Sequence, residues 1–277
     1  MALYINTNVA SEQAQKNLLG NQAKLMTSFT RLSSGLRINT AKDDAAGLAI
    51  SESLKSQIRS FNVAERNAGD GISMAQTAEG ALGEVHDILG RMRELAVQAS
   101  NGPLTGEDRD FLQNEFSSLQ SEITRIQGSA KFNGKQLLGA SANTVTLQVG
   151  LDDVSSDQIA VQLGGVSLSD ITSASGASLA GTTESAALAA LSTIDTAIGN
   201  VSTARSTFGA AMNRLEVAQS SIQTMRLNLS AANSRIRDVD VASETASLSR
   251  NQVLTQAGIS VLAQANQLPQ LAFGLLQ

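Results

Sequence analysis

Residues 194–239 read IDTAIGN VSTARST FGAAMNR LEVAQSS IQTMRLN LSAANSR IRDV when broken into sevens. The first column is Ile194, Val201, Phe208, Leu215, Ile222, Leu229 and Ile236, bulky and apolar without a miss. Three places after each stands Ala197, Ala204, Ala211, Ala218, Met225, Ala232 or Val239. Two apolar rows at this spacing are the seam of a coiled coil. On a straight helix a strict repeat of seven drifts by about 20° per heptad, so a row this long implies helices that wind around partners. The small residues of the second row let those partners approach closely.

The chain on the N-terminal side supplies such partners. Leu54, Phe61, Ala68, Ala75, Leu82, Leu89 and Ala96 form another seven-residue row, and Ala64, Ala78, Val85, Met92 and Ala99 accompany it. Acidic Asp43 and Asp44 suit the start of that helix. Gly69 and Gly71 weaken its middle, and Asn101-Gly102-Pro103 predicts its end. Thr105 and Asp108 have the spacing of a capping box, opening a third helix with the stripe Leu112, Phe116, Leu119, Ile123, Ile126 that stops near Gly128. Before all of these, Leu18, Leu25 and Leu32, with Phe29 and Leu36, line one helix face until Gly35 and Asn39-Thr40 interrupt it. Residues 241–277 are again helix-like, with Leu248, Val253, Leu254, Ile259, Val261 and Leu262; Pro269 predicts a break, and LAFGLLQ ends the chain apolar.

The middle differs. Val145, Leu147 and Val149 alternate with polar residues, as do Ile159, Val161 and Leu163, which predicts short half-buried strands. The sequence is therefore mainly α. Long helices from both chain ends pair as an antiparallel bundle or coiled coil, around a small β-rich insertion. The expected divisions are 1–42, a terminal segment mobile in the monomer; 43–140 and 187–238, two halves of a helical core; 141–186, the insertion; and 239–277, the second terminal segment. One slender chain cannot cover the apolar stripes of both ends, so self-association is expected.

Composition excludes much else. The chain has no cysteine, hence no disulfide and no thiolate chemistry. The net charge of −5 and the lack of a basic patch argue against nucleic acid as a partner. No run is long and apolar enough for membrane insertion. MALYINTNVASEQ has neither a basic nor an apolar leader region, so no cleaved signal peptide is expected. His86 is the only histidine and stands beside a heptad seam as a flanking residue. Asp43-Asp44 is read as a helix start, and Asp152, Asp153 and Asp157 as a solvated acidic loop without EF-hand spacing. Catalytic residues, metal ligands and cofactors are not expected, and an enzyme is not indicated.

Four motifs in order carry a resemblance. LSSGLRINTAKDDAAGLAIS at 32–51, RMRELAVQASNG at 91–102, FNGKQLL at 132–138 and IRDVDVASETASLSRNQVLTQAGISVLAQANQLPQLAFGLLQ at 236–277 closely resemble bacterial flagellin. The likeness covers roughly residues 1–140 and 190–277 and leaves the middle free. It implies a homopolymer, the extracellular filament of the flagellum, with both termini in an inner coiled-coil layer. It also implies export of the unfolded chain by the flagellar type III apparatus, a chaperone on the C-terminal segment, and contacts with filament cap and hook-junction proteins. Leu18, Leu25, Phe29, Leu32, Val253, Leu254, Val261 and Leu262 are the expected filament-core residues of the termini. The resemblance further implies recognition by Toll-like receptor 5, through the matching positions Arg91, Leu95 and Glu115. The chain departs from the pattern at its end, where related sequences often carry a basic residue and this one reads LAFGLLQ.

Overall fold

The computed structural model describes residues 7–139, 143–166, 168–172, 177–180 and 184–274. They form two compact units, one of residues 1–58 with 228–277 and the other of residues 59–227.

In the first unit, α1 (Val9–Ser34) pairs with α6 (Val241–Gly274). Contacts of Ser11 with Asn266 and of Arg31 with Glu244 show that the two helices run antiparallel. The α1 seam is Ser11, Ala14, Leu18, Asn21, Leu25, Ser28 and Leu32, alternating three and four apart and at least part-buried. Glu244, Leu248, Asn251, Thr255, Gly258, Leu262 and Ala265 face it from α6 with the same spacing. Nine of these fourteen are polar or very small, so the seam holds the pair with little apolar burial. Gly35 ends α1 in the left-handed conformation, φ 71°, which glycine adopts without steric cost. The N–H of Arg37 then donates to the carbonyl of Arg237 at 2.6 Å, and Arg237 pairs with Glu52 at 2.6 Å.

The sequence predicts that α6 breaks at Pro269, but the helix continues through it to Gly274. Proline removes one backbone donor, and a helix survives that loss where another group takes over the freed carbonyl. The predicted apolar ending lies partly in residues 275–277, outside the described residues.

α2 (Ala45–Ala99) opens where the acidic pair predicts. Asp44 Oδ1 accepts from the N–H of Gly47 at 2.9 Å and caps the helix. The carboxyl of Asp43 accepts instead from the N–H and hydroxyl of Thr40 and from the N–H of Asn39, which holds it below the usual Asp range. α5 (Ser185–Arg237) lies antiparallel to α2 in the second unit: Glu65 pairs with Arg226 at 2.8 Å, Glu79 with Arg205 at 2.6 Å, and Arg93 with Asp195 at 2.7 Å. Between these ion pairs the predicted rows close into a dry seam. Phe61, Leu82, Val85, Leu89 and Met92 of α2 are buried, as are Ile194, Val201, Phe208, Leu215 and Ile222 of α5. The seam weakens at its ends, where Leu54, Leu229 and Ile236 are part-buried and Met225 is 50 % exposed.

α3 (Gly106–Ser129) begins with the expected capping box: Thr105 Oγ1 accepts from the N–H of Asp108, and the Asp108 carboxylate accepts from the N–H of Thr105 at 2.9 Å. The Thr105 hydroxyl, then its N–H, hold the Asp108 carboxyl below its ordinary value of 3.8. Because the folded pKa is depressed, this stabilisation is complete above the ordinary value and is lost as pH falls through the lower folded one. Asp108→Asn is therefore expected to flatten the stability profile below about pH 4 relative to wild type. Parallel acid titrations followed by circular dichroism would check this, and superimposable curves would contradict it.

Two antiparallel hairpins follow. β1 (Lys131–Phe132) and β2 (Lys135–Gln136) turn through Asn133 and Gly134, both at positive φ, 47° and 78°. This is the two-residue turn that Asn-Gly favours. β3 (Asn143–Gln148) pairs with β4 (Gln158–Leu163), Val145 opposite Val161 and Leu147 opposite Ile159. The alternation is as predicted on β4, whereas Val149 lies beyond β3, buried in the loop. Gly71 does not weaken α2. It is where the hairpin comes down on the helix, since a Cβ there would run into the Leu147 side chain. The short α4 (Ser169–Thr172) lies near α3, whose Gln120 amide donates to the carbonyls of Ile171 and Ala177.

Candidate assembly and recognition surfaces

No group of three His, Cys, Asp or Glu side chains suited to a metal occurs among the described residues. Of the acidic loop, Asp157 is not simply solvated: part-buried, it accepts from the N–H of Asp152 at 2.8 Å and ties the loop together. His86 is part-buried beside the seam, as expected.

The chain's chemistry is that of surfaces. In the terminal pair the eight expected residues separate into two sets. Leu18, Leu25, Leu32 and Leu262 stand in the α1–α6 seam, part-buried. Phe29, Val253, Leu254 and Val261 point away from it, 48 %, 64 %, 44 % and 54 % exposed. Leu19, Met26 and Ile259 are exposed on the same two helices. Each terminal helix therefore carries two apolar faces, and pairing within one chain uses one of them. Single exposed apolar residues are ordinary on a protein surface, but with Val9 and Val241 there are nine on this helix pair, which is not ordinary.

The second surface lies on α2 and α3. Arg91 Nε donates to Glu115 Oε1 at 2.9 Å, its Nη2 lies 2.8 Å from the same oxygen, and its Nη1 donates to Glu94 at 2.8 Å. The hydrogen bonds it donates to Glu94 and then to Glu115 raise the guanidinium's pKa further. The Arg91 and Glu115 side chains are about half exposed, at 50 % and 46 %. Leu95 is 1 % exposed. The three expected recognition residues are thus not alike: two charged groups meet at the surface, while Leu95 belongs to the interior.

Sequence patterns missed Arg109. It is 2 % exposed, in the first turn of α3, and its Nε donates to the carbonyl of Ala99 at 3.0 Å and its Nη2 to that of Asn101 at 3.2 Å. It closes the C-terminal end of α2, where a cation meets the negative end of the helix dipole. The one sequence signal was its placement, since a cation in the first turn of a helix opposes that helix's own dipole.

Comparison with known proteins agrees with this geometry. The model of the bacterial flagellin N-terminal helical region matches residues 5–143, and that of the C-terminal helical region matches residues 191–276. A flagellin of Halalkalibacterium halodurans is 46 % identical over 99 % of this chain and 100 % of its own length. A flagellin of Bacillus subtilis is 39 % identical over 99 % of both chains. Among solved structures, a putative flagellar hook-associated protein from Vibrio parahaemolyticus has a TM-score of 0.59 over 71 % of this chain and 100 % of that one. At 15 % identity that likeness speaks for the fold alone.

Proposed function

This chain belongs to the bacterial flagellin family, a structural subunit of the extracellular flagellar filament, and we propose from that premise that the outer faces of α1 and α6 are the contacts through which copies join. The observation that carries the proposal is the apolar stripe of Phe29, Val253, Leu254 and Val261, left uncovered when the two helices pair. Neighbouring subunits supply the cover, and each Å² of apolar surface removed from water contributes about 25 cal/mol. Purified full chain seeded with filament fragments should grow long filaments visible by electron microscopy. No growth at any concentration would contradict the proposal.

The same stripe bears on the route to the filament. A chain exported unfolded by the flagellar type III apparatus must keep the apolar residues of 241–277 from associating early, and a chaperone on that segment does so. The cap and hook-junction proteins bound the polymer at its two ends.

Recognition by Toll-like receptor 5 is placed on Arg91 and Glu115. They are exposed, held 2.8 Å apart on two helices, and present a rigid charged pair. Leu95, the third position of the resemblance, is buried at 1 % exposure. Arg91→Ala and Glu115→Ala are each expected to weaken binding to the receptor ectodomain by about tenfold or more, since ordered Arg anchors are frequent hot spots. Thermal unfolding should hardly move, because exposed ion pairs contribute little to stability. Binding unchanged in both variants would remove the site from this surface.

A further inference from the structure

In an α-helix the carbonyl of residue 265 accepts from the N–H of residue 269. Residue 269 is proline and has no N–H, yet α6 runs through it to Gly274. Ala265 is buried at 6 % exposure, where an unfilled carbonyl is costly. Asn8, from the other end of the chain, fills it: its Nδ2 donates to the Ala265 carbonyl at 2.8 Å. The same amide's Oδ1 accepts from the N–H of Ser11 at 3.1 Å and caps α1. Ser11 Oγ then donates to Asn266 Oδ1 at 2.7 Å.

Where α1 ends and α6 begins, the backbone aligns the pair: the N–H of Arg37 donates to the carbonyl of Arg237 and the N–H of Val239 to that of Gly35. Beside these contacts the Arg31–Glu244 pair is loose, at 3.6 Å. Toward the other end, Leu18 and Leu25 stand in the seam with Leu262 among small and polar groups, which hold the helices less specifically. The open carbonyl is different, because Pro269 is the only proline of α6 and creates it at one place.

We propose that Asn8 is a lock on the open end of the terminal pair, joining the start of α1 to the carbonyl that Pro269 leaves open in α6 and so fixing the alignment where the backbone contacts at Gly35 and Val239 do not reach. The consequence for the filament rests on the assembly reading above: a fixed open end holds exposed Ile259 and Val261 of α6 and Leu19 of α1 in a constant arrangement for neighbouring subunits.

The test uses four full-length chains: wild type, Asn8→Ser, Pro269→Ala and the double variant. Serine keeps the helix cap but cannot reach Ala265, and alanine at 269 returns the missing N–H. Asn8→Ser alone should raise the critical concentration for seeded growth about fivefold, the effect of one lost hydrogen bond to a buried carbonyl. With Pro269→Ala present, the same change should have little effect. An equal effect in both backgrounds, or none in the wild-type background, overturns the lock. If wild type itself does not polymerise, the assembly reading fails separately; the lock is then read from thermal melts of the four monomers, where the same rescue is expected and additivity overturns it. The open end is read directly by oxidative crosslinking, because the chain has no native cysteine. Ser11→Cys with Asn266→Cys should link within one chain. Adding Asn8→Ser should lower that yield. An unchanged yield overturns the proposal.

Discussion

Deleting Val241–Gln277, or Met1–Leu36, is expected to abolish filament growth and leave residues 59–227 folded. The second unit has its own dry seam, in which Phe61, Leu82, Leu89, Val201, Phe208 and Leu215 are buried without help from the terminal helices. The terminal pair has no such reserve. Its seam is half polar, and an isolated helix of α1's length, 26 residues, forms at best marginally in water. Removing either helix therefore costs the other its intrachain partner, and both stripes of the assembly surface are lost together. Seeded samples of the full chain and both truncations, examined by electron microscopy with circular dichroism on the same material, separate the outcomes. Filaments of ordinary length from either truncation would place the subunit contacts elsewhere. Loss of helicity within residues 59–227 would show that the second unit depends on the ends for its fold.

Arg109→Ala is expected to be strongly destabilising for a polar residue, by about 3 kcal/mol. The substitution strands the carbonyl of buried Ala99 and leaves that of Asn101 only the N–H of Leu104. An unsatisfied buried acceptor costs about 1–3 kcal/mol, and the stem of the arginine also fills space that alanine leaves empty. For a chain of this size the midpoint of thermal unfolding should fall by about 6–12 °C. Arg109→Met restores most of the volume but none of the hydrogen bonds, so it should recover only the packing part. A midpoint within about 2 °C of wild type for Arg109→Ala would mean that water or another donor replaces the guanidinium at no cost.

Much of this was legible in order along the chain. The rows through Ile194–Ile222 and Phe61–Met92 became the buried seam of α5 and α2, because a heptad repeat states which face of a helix needs covering. The Thr105–Asp108 box and the stop at Gly35 were equally plain, since a cap involves residues three or four apart. One local feature was passed over: Asn133-Gly134 between short flanks is a hairpin signal, and it turns between β1 and β2. The candidate surfaces were less legible. Periodicity put Leu18 and Phe29 on one face of the first helix and did not sort Val253 from Leu262 in the last, whereas pairing puts Leu18 and Leu262 inside and Phe29 and Val253 outside. Arg91, Leu95 and Glu115 came from the resemblance rather than from periodicity, and only the structure separates buried Leu95 from the two exposed charges.

The sequence by itself determined the helices, their caps, the seams and the place of the strands, all of which depend on residues within one or two turns of each other. Tertiary structure alone decided which of two apolar faces is used within the chain, that Arg109 should be buried, and that α6 should pass through Pro269. Those outcomes depend on groups far apart in sequence. Asn8 meets Ala265 across 257 positions, and no local pattern records that a carbonyl freed by one residue will be filled by an amide at the other end.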